Sequence, residues 1–432
     1  MSLRYQTPIK DMVIRESEIN KITRTETDMR ILFLTNLLPY PLDNGGKIKS
    51  YSTLQSLKKG GHVIDLVCFN ESEIIVPEYE KEILKYCNSV NQIYLKLTTA
   101  DNKIYMLMMA LKSIFSKYSF GLFKYKSGKM RNLIKLLISS SEYDLVYYDH
   151  LQLFIYNSLI ASMRINCIKI IDEHNCEAII MKRNADNSKN LMKKLFFLLE
   201  YQKLYRFERK SIKSSDKCIV LSVEDYKALY DMCGEFNHEI IPIGMIDKGI
   251  KRSEYQDDCI RILFIGTLTW EPNNNGIVWF MKKVVPLIEQ QNINVQLYIV
   301  GKNPSEELRT VVKKYNNIFI TGYVESVEEY YDKCHCMIVP LFIGSGQRVK
   351  IIEAFSKGMP VISTTIGAEG LNFEDKCSGL IANTPEEFVS SIMEMRNKKM
   401  QEKLSINARK VYEKFYSMEA VQHKILKCIT EL

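Results

Sequence analysis

The chain has 432 residues, more than one hydrophobic core ordinarily serves, so two domains are expected. An apolar fraction of 46% with 25% charged residues is that of a folded globular protein, and no run approaches the roughly 18 consecutive apolar residues of a bilayer span; a disordered chain and an integral helical membrane protein are excluded. The net charge of +8 is modest and comes with no nucleic-acid recognition module, so nucleic acid is not an expected partner.

Residues 1–28 (MSLRYQTPIKDMVIRESEINKITRTETD) are polar and lack the apolar stretch of a secretion signal. They read as an extension, and the protein behind them as cytoplasmic. The eleven cysteines, an odd number set in apolar runs such as LVCF and INCIKI, fit reduced core thiols. Cys334-His335-Cys336 has no second ligand pair at zinc spacing, so no metal is expected there.

From Met29 onward, short apolar runs bounded by turn residues alternate with longer helical patterns. Strands are expected in the first half at Ile31–Thr35, Val63–Phe69, Gln92–Leu97, Asp144–Tyr148, Ile168–Asp172, Lys217–Ser222 and Glu239–Ile241. After the first of these, PYPLDNGGKIKS places Gly45 and Gly46 at the start of a helix. Glycines there let backbone N–H groups approach a ligand oxygen, while Asp43-Asn44-Gly45-Gly46 equally suits an ordinary turn. The stretch matches neither GxGxxG nor GxxxxGK[ST], which argues against a dinucleotide or P-loop site.

No Asp or Glu occurs from Asn102 to Ser141, while Lys103, Lys112, Lys117, Lys124, Lys126, Lys129, Arg131 and Lys135 are interleaved with Met, Leu, Phe and Tyr. A second basic stretch runs from Met181 to Lys213. Two readings fit: amphipathic helices on an anionic inner-membrane surface, or core helices with solvated lysine faces.

The second half restarts the pattern, with strands expected at Ile262–Gly266, Val295–Val300, Ile318–Thr321, Cys336–Pro340, Pro360–Ser363 and Gly379–Ile381. The polar segment Asp247–Asp258 between the halves reads as a linker, which sets the domain limits at 29–246 and 259–415, with a final helix over 416–432. Alternating strands and helices imply α/β architecture: two doubly wound, Rossmann-like domains facing across a cleft, with a ligand site at the carboxyl ends of the strands.

The densest chemistry lies in PLFIGSGQRVKIIEAFSKGMPVISTTIGAEG, from Pro340 to Gly370. A strand delivers the chain into Gly344-Ser345-Gly346, whose amides can bind hydroxyl or phosphate oxygens, and the helix that follows points its positive end at the same place. Gln347 follows directly, Arg348 and Lys350 add full positive charge, and Glu353 can accept a pair of hydrogen bonds from a vicinal diol such as that of ribose. The plainer alternative is an exposed helix-surface ion pair between Arg348 or Lys350 and Glu353.

This segment, with RILFIGTLTWEPNNNGIVWF and TGYVESVEEYYDKCHCMIVP before it, resembles the nucleotide-sugar half of the family 4 (group 1) retaining glycosyltransferases of GT-B fold. In the first half, PYPLDNGGKIKS resembles their glycine-rich acceptor-side loop, and IDEHNCEAIIMKR with EYQKLYRFERKSIKSSDKCIVLS resembles a subgroup from bacterial polysaccharide clusters. The resemblance covers nearly all of residues 29–432. It implies that Glu353 contacts the donor ribose, with Ser345 standing where relatives carry the glutamate that contacts the donor sugar. Many relatives hold the diphosphate with an Arg and a Lys after the first strand of the second domain; here that loop reads Gly266-Thr267-Leu268-Thr269-Trp270-Glu271-Pro272-Asn273, and Arg348 and Lys350 restore the charge from the neighbouring loop. Gly266, Thr267 and Asn273 are then donor-side residues, and Tyr323 and Val324 flank the base. His150 and His174 are the candidates for a first-domain histidine beside the donor sugar, with Asp172 and Glu173 orienting His174. The final helix crosses back to pack on the first domain.

The implied reaction is transfer of a sugar from a nucleotide sugar to a saccharide or lipid-linked acceptor, retaining, with no cofactor and no metal, at the cytoplasmic side of the membrane. No Asp-x-Asp pair occurs in the sequence. A nucleotide-sugar epimerase on the same fold and a non-catalytic sugar-binding scaffold are the alternatives.

Overall fold

The computed structural model of the protein describes residues 28–95, 103–247, 249, 258–344 and 346–432, with backbone alone at 103–107. Residues 1–27, most of the expected linker and Ser345 lie outside the described residues. The chain forms two compact units, one running to Pro242 and completed by Gln422–Leu432, the other spanning Ile243–Val421.

The first unit is built on seven strands, β1 (Arg30–Thr35), β2 (Val63–Asn70), β3 (Ser89–Tyr94), β4 (Leu145–Asp149), β5 (Ile168–Glu173), β6 (Lys217–Val220) and β7 (His238–Ile240). They pair in the order β3-β2-β1-β4-β5-β6-β7, every pair parallel. Helices cover both faces, so the strands are near-continuous apolar runs; RILFLT is buried after its first residue and LVYYD throughout. Phe33 and Tyr147, register partners on β1 and β4, stack with ring centroids 4.7 Å apart. The segment 422–432 is tied to this sheet: Lys424 Nζ donates to the Ile240 carbonyl at 3.1 Å and Lys217 Nζ to that of Cys428 at 3.3 Å.

The second unit repeats the plan with β8 (Ile260–Ile265), β9 (Val295–Val300), β10 (Ile318–Gly322), β11 (Cys336–Val339), β12 (Val361–Ser363) and β13 (Leu380–Ile381). Their order is β10-β9-β8-β11-β12-β13, again all parallel. In both sheets the winding direction reverses between the first and fourth strands, at β1/β4 and β8/β11, the place where doubly wound sheets bind ligands. A Cβ on Gly276 would lie 2.1 Å from the Pro340 carbonyl oxygen, so the helix Glu271–Lys283 reaches the end of β11 only because that residue is glycine. His335 is held by backbone: its Nδ1 accepts from the Arg261 N–H at 2.8 Å.

All thirteen expected strands are present, and the α/β, doubly wound class with them. The largest displacement is β3, found three residues before the expected Gln92–Leu97. Pairing decides it: Asp65 on β2 accepts from Ser89 Oγ at 2.7 Å and Asn88 Nδ2 at 3.0 Å, which sets where the edge strand starts. The helices of the basic window differ in burial. Gly128–Ser140 buries Met130, Leu133, Ile134 and Ile138 and leaves Lys129, Arg131 and Lys135 in solvent, an ordinary core helix. The helix Lys103–Ile114 instead exposes Met108, Leu111 and Ile114, and Phe115 just beyond it is 92% exposed.

Candidate functional site

At the reversal point of the first sheet, Thr35 and Asp149 end β1 and β4 side by side in register. The Asp149 carboxylate is wholly buried. Its Oδ2 accepts from Thr35 Oγ1 at 2.6 Å and from Ser50 Oγ at 2.5 Å, and its Oδ1 lies 2.8 Å from His174 Nε2. A carboxylate only accepts, so His174 carries its hydrogen on Nε2. His150 follows Asp149 at φ 84°, a conformation that L-residues adopt only when the surroundings impose it. Its Nδ1 lies 2.8 Å from the Asp149 carbonyl oxygen and 3.3 Å from Oδ2. Both partners are acceptors, which places the hydrogen on Nδ1. The two imidazole centroids are 3.5 Å apart.

Electrostatics separates the two rings. Burial opposes charge on Asp149, but the two imidazoles hold its carboxyl well below the usual range. Burial alone would lower His150; the Asp149 carboxylate outweighs it and the net shift is upward. His174 is lowered, by burial first and by the charge of His150, against the pull of Asp149. One proton is thus favoured on His150 and disfavoured on His174.

The expected orienters of His174 were Asp172 and Glu173, and the structure assigns that role to Asp149. Asp172 Oδ1 is 4.0 Å from His174 Nε2; its other oxygen accepts from Tyr147 OH at 2.5 Å and lies 3.5 Å from Lys49 Nζ in a wholly buried pair. Successive strand residues point to opposite faces, so Glu173 turns away from Asp172. Its carboxyl is pushed well above the usual range by burial and by Glu208 and Glu177. Glu208, buried where it accepts the backbone N–H groups of Glu177 at 2.8 Å and Ala178 at 3.0 Å, is raised to about 8, burial being the main cause. Thr35, Lys49 and Ser50 had drawn no attention in the sequence, although the last two follow Gly46 by one helical turn. Gly45 and Gly46 open the helix Gly45–Lys59 behind an Asn44 cap, and a Cβ on Gly46 would sit 3.4 Å from His150 Nε2.

At the reversal point of the second sheet, the loops after β8 and β11 are tied together. Lys350 Nζ donates to Asn273 Oδ1 at 2.9 Å, and Asn273 Nδ2 donates to the Thr267 carbonyl at 3.1 Å. A Cβ on Gly266 would stand 2.8 Å from Asn273 Nδ2 and 3.0 Å from Lys350 Nζ, so only glycine leaves room for this link. Burial, and then the Arg348 guanidinium, lower Lys350 to about 7. Arg348 stands at the N-cap of the helix Val349–Ser356 and its Nη1 donates to the Gly346 carbonyl. Gly344 at φ 139° and Gly346 at φ 79° hold backbone conformations that side chains disfavour.

The structure thus gathers Gly266, Thr267, Asn273, Gly344, Gly346, Arg348 and Lys350. The Gln347 amide is spent on backbone, accepting from Ile243 N and donating to the Gly370 carbonyl, both at 2.9 Å, so it braces the loop. Glu353 is half-buried on the same helix beside the Tyr331 phenol, whose pKa burial and this carboxylate raise. Tyr323 and Val324 follow β10, two strands along from β8, with Tyr323 75% exposed. Ser345 lies outside the described residues.

For metal ions, Asp149, His150 and His174 are the set of ligand atoms among the described residues that lie within 4.8 Å of one another. Of these, Asp149 Oδ1 and His174 Nε2 are engaged with each other, and His150 Nδ1 with the Asp149 carbonyl.

Residues 259–398 match the glycosyl transferases group 1 family model. An uncharacterized 44.6 kDa protein in the cps region of Klebsiella pneumoniae is 25% identical over 409 residues, covering 92% of this chain and 99% of that protein. Among solved structures, sucrose-phosphate synthase from Thermosynechococcus elongatus superposes with a TM-score of 0.68 at 15% identity, covering 93% of this chain and 98% of that one. Anabaena Alr3699/HepE, solved in complex with UDP and glucose, gives a TM-score of 0.63 at 13% identity over 94% of this chain and 100% of its own. These neighbours show the GT-B fold, and the match to the group 1 glycosyltransferase model falls within the second unit.

Proposed function

We propose that this glycosyltransferase moves a hexose from a nucleotide-sugar donor to a hydroxyl of a saccharide or lipid-linked acceptor, with retention and without a metal, in cell-surface polysaccharide synthesis. The observation that carries the reading is the Lys350–Asn273–Thr267 link, which sets a cation beside Arg348 and a helix N-terminus at the reversal point of the second sheet. In the reaction the bond from the anomeric carbon to the diphosphate breaks, the acceptor oxygen bonds to that carbon on the same face, and its proton passes to the departing phosphate. Arg348, Lys350 and the helix end meet the charge that develops on the diphosphate. Glu353 takes the ribose diol. His150 and His174 orient the sugar and acceptor. The UDP and glucose bound by HepE and the cps setting of the Klebsiella protein support this choice of substrates.

Calorimetric titration of UDP, GDP and ADP with chelator present tests the donor site. One nucleotide is expected to bind, and Glu353→Gln to weaken it more than about tenfold, roughly 1.4 kcal/mol. Failure of all three to bind would leave a non-catalytic scaffold as the better reading.

A peripheral position at the inner membrane face belongs to the same proposal. Among the described residues no helix is long and apolar enough to cross a membrane. The exposed Leu111 and Phe115 lie beside Lys112 and Lys117, and the first turn of the helix Leu191–Lys213 exposes Leu191, Met192 and Leu195 around Lys193 and Lys194. Lys203 of that helix donates to the carbonyls of Ser113 at 2.6 Å and Ile114 at 3.0 Å, tying the two helices together. Apolar side chains among cations suit an anionic bilayer surface.

A further inference from the structure

Asp149 gathers groups from four elements. Thr35 of β1, Ser50 of the helix Gly45–Lys59 and His174 beyond β5 donate to its carboxylate, and the Nδ1–H of His150 meets its carbonyl. One residue therefore sets both imidazoles. With Nδ1 committed, the nitrogen that His150 offers to a ligand is Nε2, and this atom faces Gly46, where a Cβ would lie 3.4 Å away. Glycine at 46 leaves that nitrogen open to approach. Asp149 and His174 are buried, whereas the His150 ring keeps partial exposure.

We propose that Asp149 is a positioning residue for glycosyl transfer: it presents His150 Nε2 over the Gly45–Gly46 loop, where the imidazole meets a hydroxyl of the saccharide acceptor. The inference rests on the glycosyl-transfer reading and adds to it the place and chemistry of acceptor recognition. The fixed Nδ1–H determines the ligand class. A neutral ring presents a lone pair at Nε2 and a charged ring presents N–H, and a hydroxyl answers either state, whereas a phosphate or carboxylate answers only the second. The strained φ of His150 is held by these bonds rather than by local preference. The other charged groups around the ring are Asp172 on β5 with Lys49 against it, and Glu177 at the start of the helix Glu177–Asn187, which accepts from Gln152 Nε2 at 3.2 Å.

The test combines NMR of histidine-labelled full-length protein without substrate and steady-state transfer with donor and acceptor varied separately. Asp149→Asn is expected to lower the His150 titration midpoint and to cut acceptor kcat/KM by about tenfold or more with donor KM little changed. Gly46→Ala needs no disfavoured φ and sets a methyl group on Nε2; it is expected to keep Tm and the His174 signals while weakening acceptor use in the same way. An unchanged His150 tautomer and titration in Asp149→Asn overturns the positioning role whatever the activity. Unchanged acceptor kinetics in Gly46→Ala overturns the placement of the hydroxyl. If Asp149→Asn does not fold, Ser50→Ala and Thr35→Val each remove one bond to Oδ2 with the carboxylate kept, and a His150 signal that does not move in either overturns the proposal. Wild-type protein that turns over no nucleotide sugar overturns the glycosyl-transfer reading, and the NMR arm still reports on Asp149 independently.

Discussion

Lys350 Nζ donates to Asn273 Oδ1 at 2.9 Å, so a cation borne by the helix after β11 is held against the loop after β8. The link lets one lysine serve a loop that has no cation of its own between Gly266 and Asn273.

Because burial and Arg348 lower Lys350 to about 7, an incoming diphosphate should restore its proton. Nucleoside diphosphate binding at pH 8 is expected to take up protons, seen as a buffer-dependent calorimetric enthalpy, and affinity should fall between pH 7 and pH 9. Lys350→Met should abolish the uptake and weaken binding by about tenfold. Binding enthalpies independent of buffer would argue against a lysine on the diphosphate.

Glu208 predicts the pH dependence of the first unit's stability. Its carboxyl is raised to about 8 from an ordinary 4.5, so between those values the folded chain holds a proton that the unfolded chain releases. Its contribution to stability is therefore complete below pH 4.5 and is lost as pH rises toward 8. Denaturant unfolding of Glu208→Gln should show a flatter pH profile than wild type, with the largest relative gain at pH 8. Parallel profiles would assign the pH dependence to other groups.

Vesicle flotation examines the exposed apolar and basic helices. The protein should float with phosphatidylglycerol-containing vesicles at low salt and not with neutral ones, and high salt should release it. Phe115→Ser, at a side chain 92% exposed, should reduce flotation without lowering Tm, and Lys193→Glu with Lys194→Glu should cost about 1 kcal/mol per cation. Equal flotation with both vesicle types, or none with either, would remove the membrane proposal.

The sequence alone determined the strands and their class. Runs such as RILFLT and RILFI are continuous and apolar because both faces of a parallel sheet are covered, and that requirement is written locally. The glycine-rich loop before Val349 was legible for a similar reason, since the positive φ values of Gly344 and Gly346 favour glycine. Tertiary structure alone decided the partners. Asp149 takes Thr35, Ser50 and His174 from positions 114, 99 and 25 residues away, and no spacing rule spans such distances. Asp172, the nearer choice for His174 in the chain, is taken by Tyr147 and Lys49. Strand alternation limits which neighbours can share a face, but only the packed sheet settles which buried carboxylate meets which donor, because each must be satisfied once water is gone.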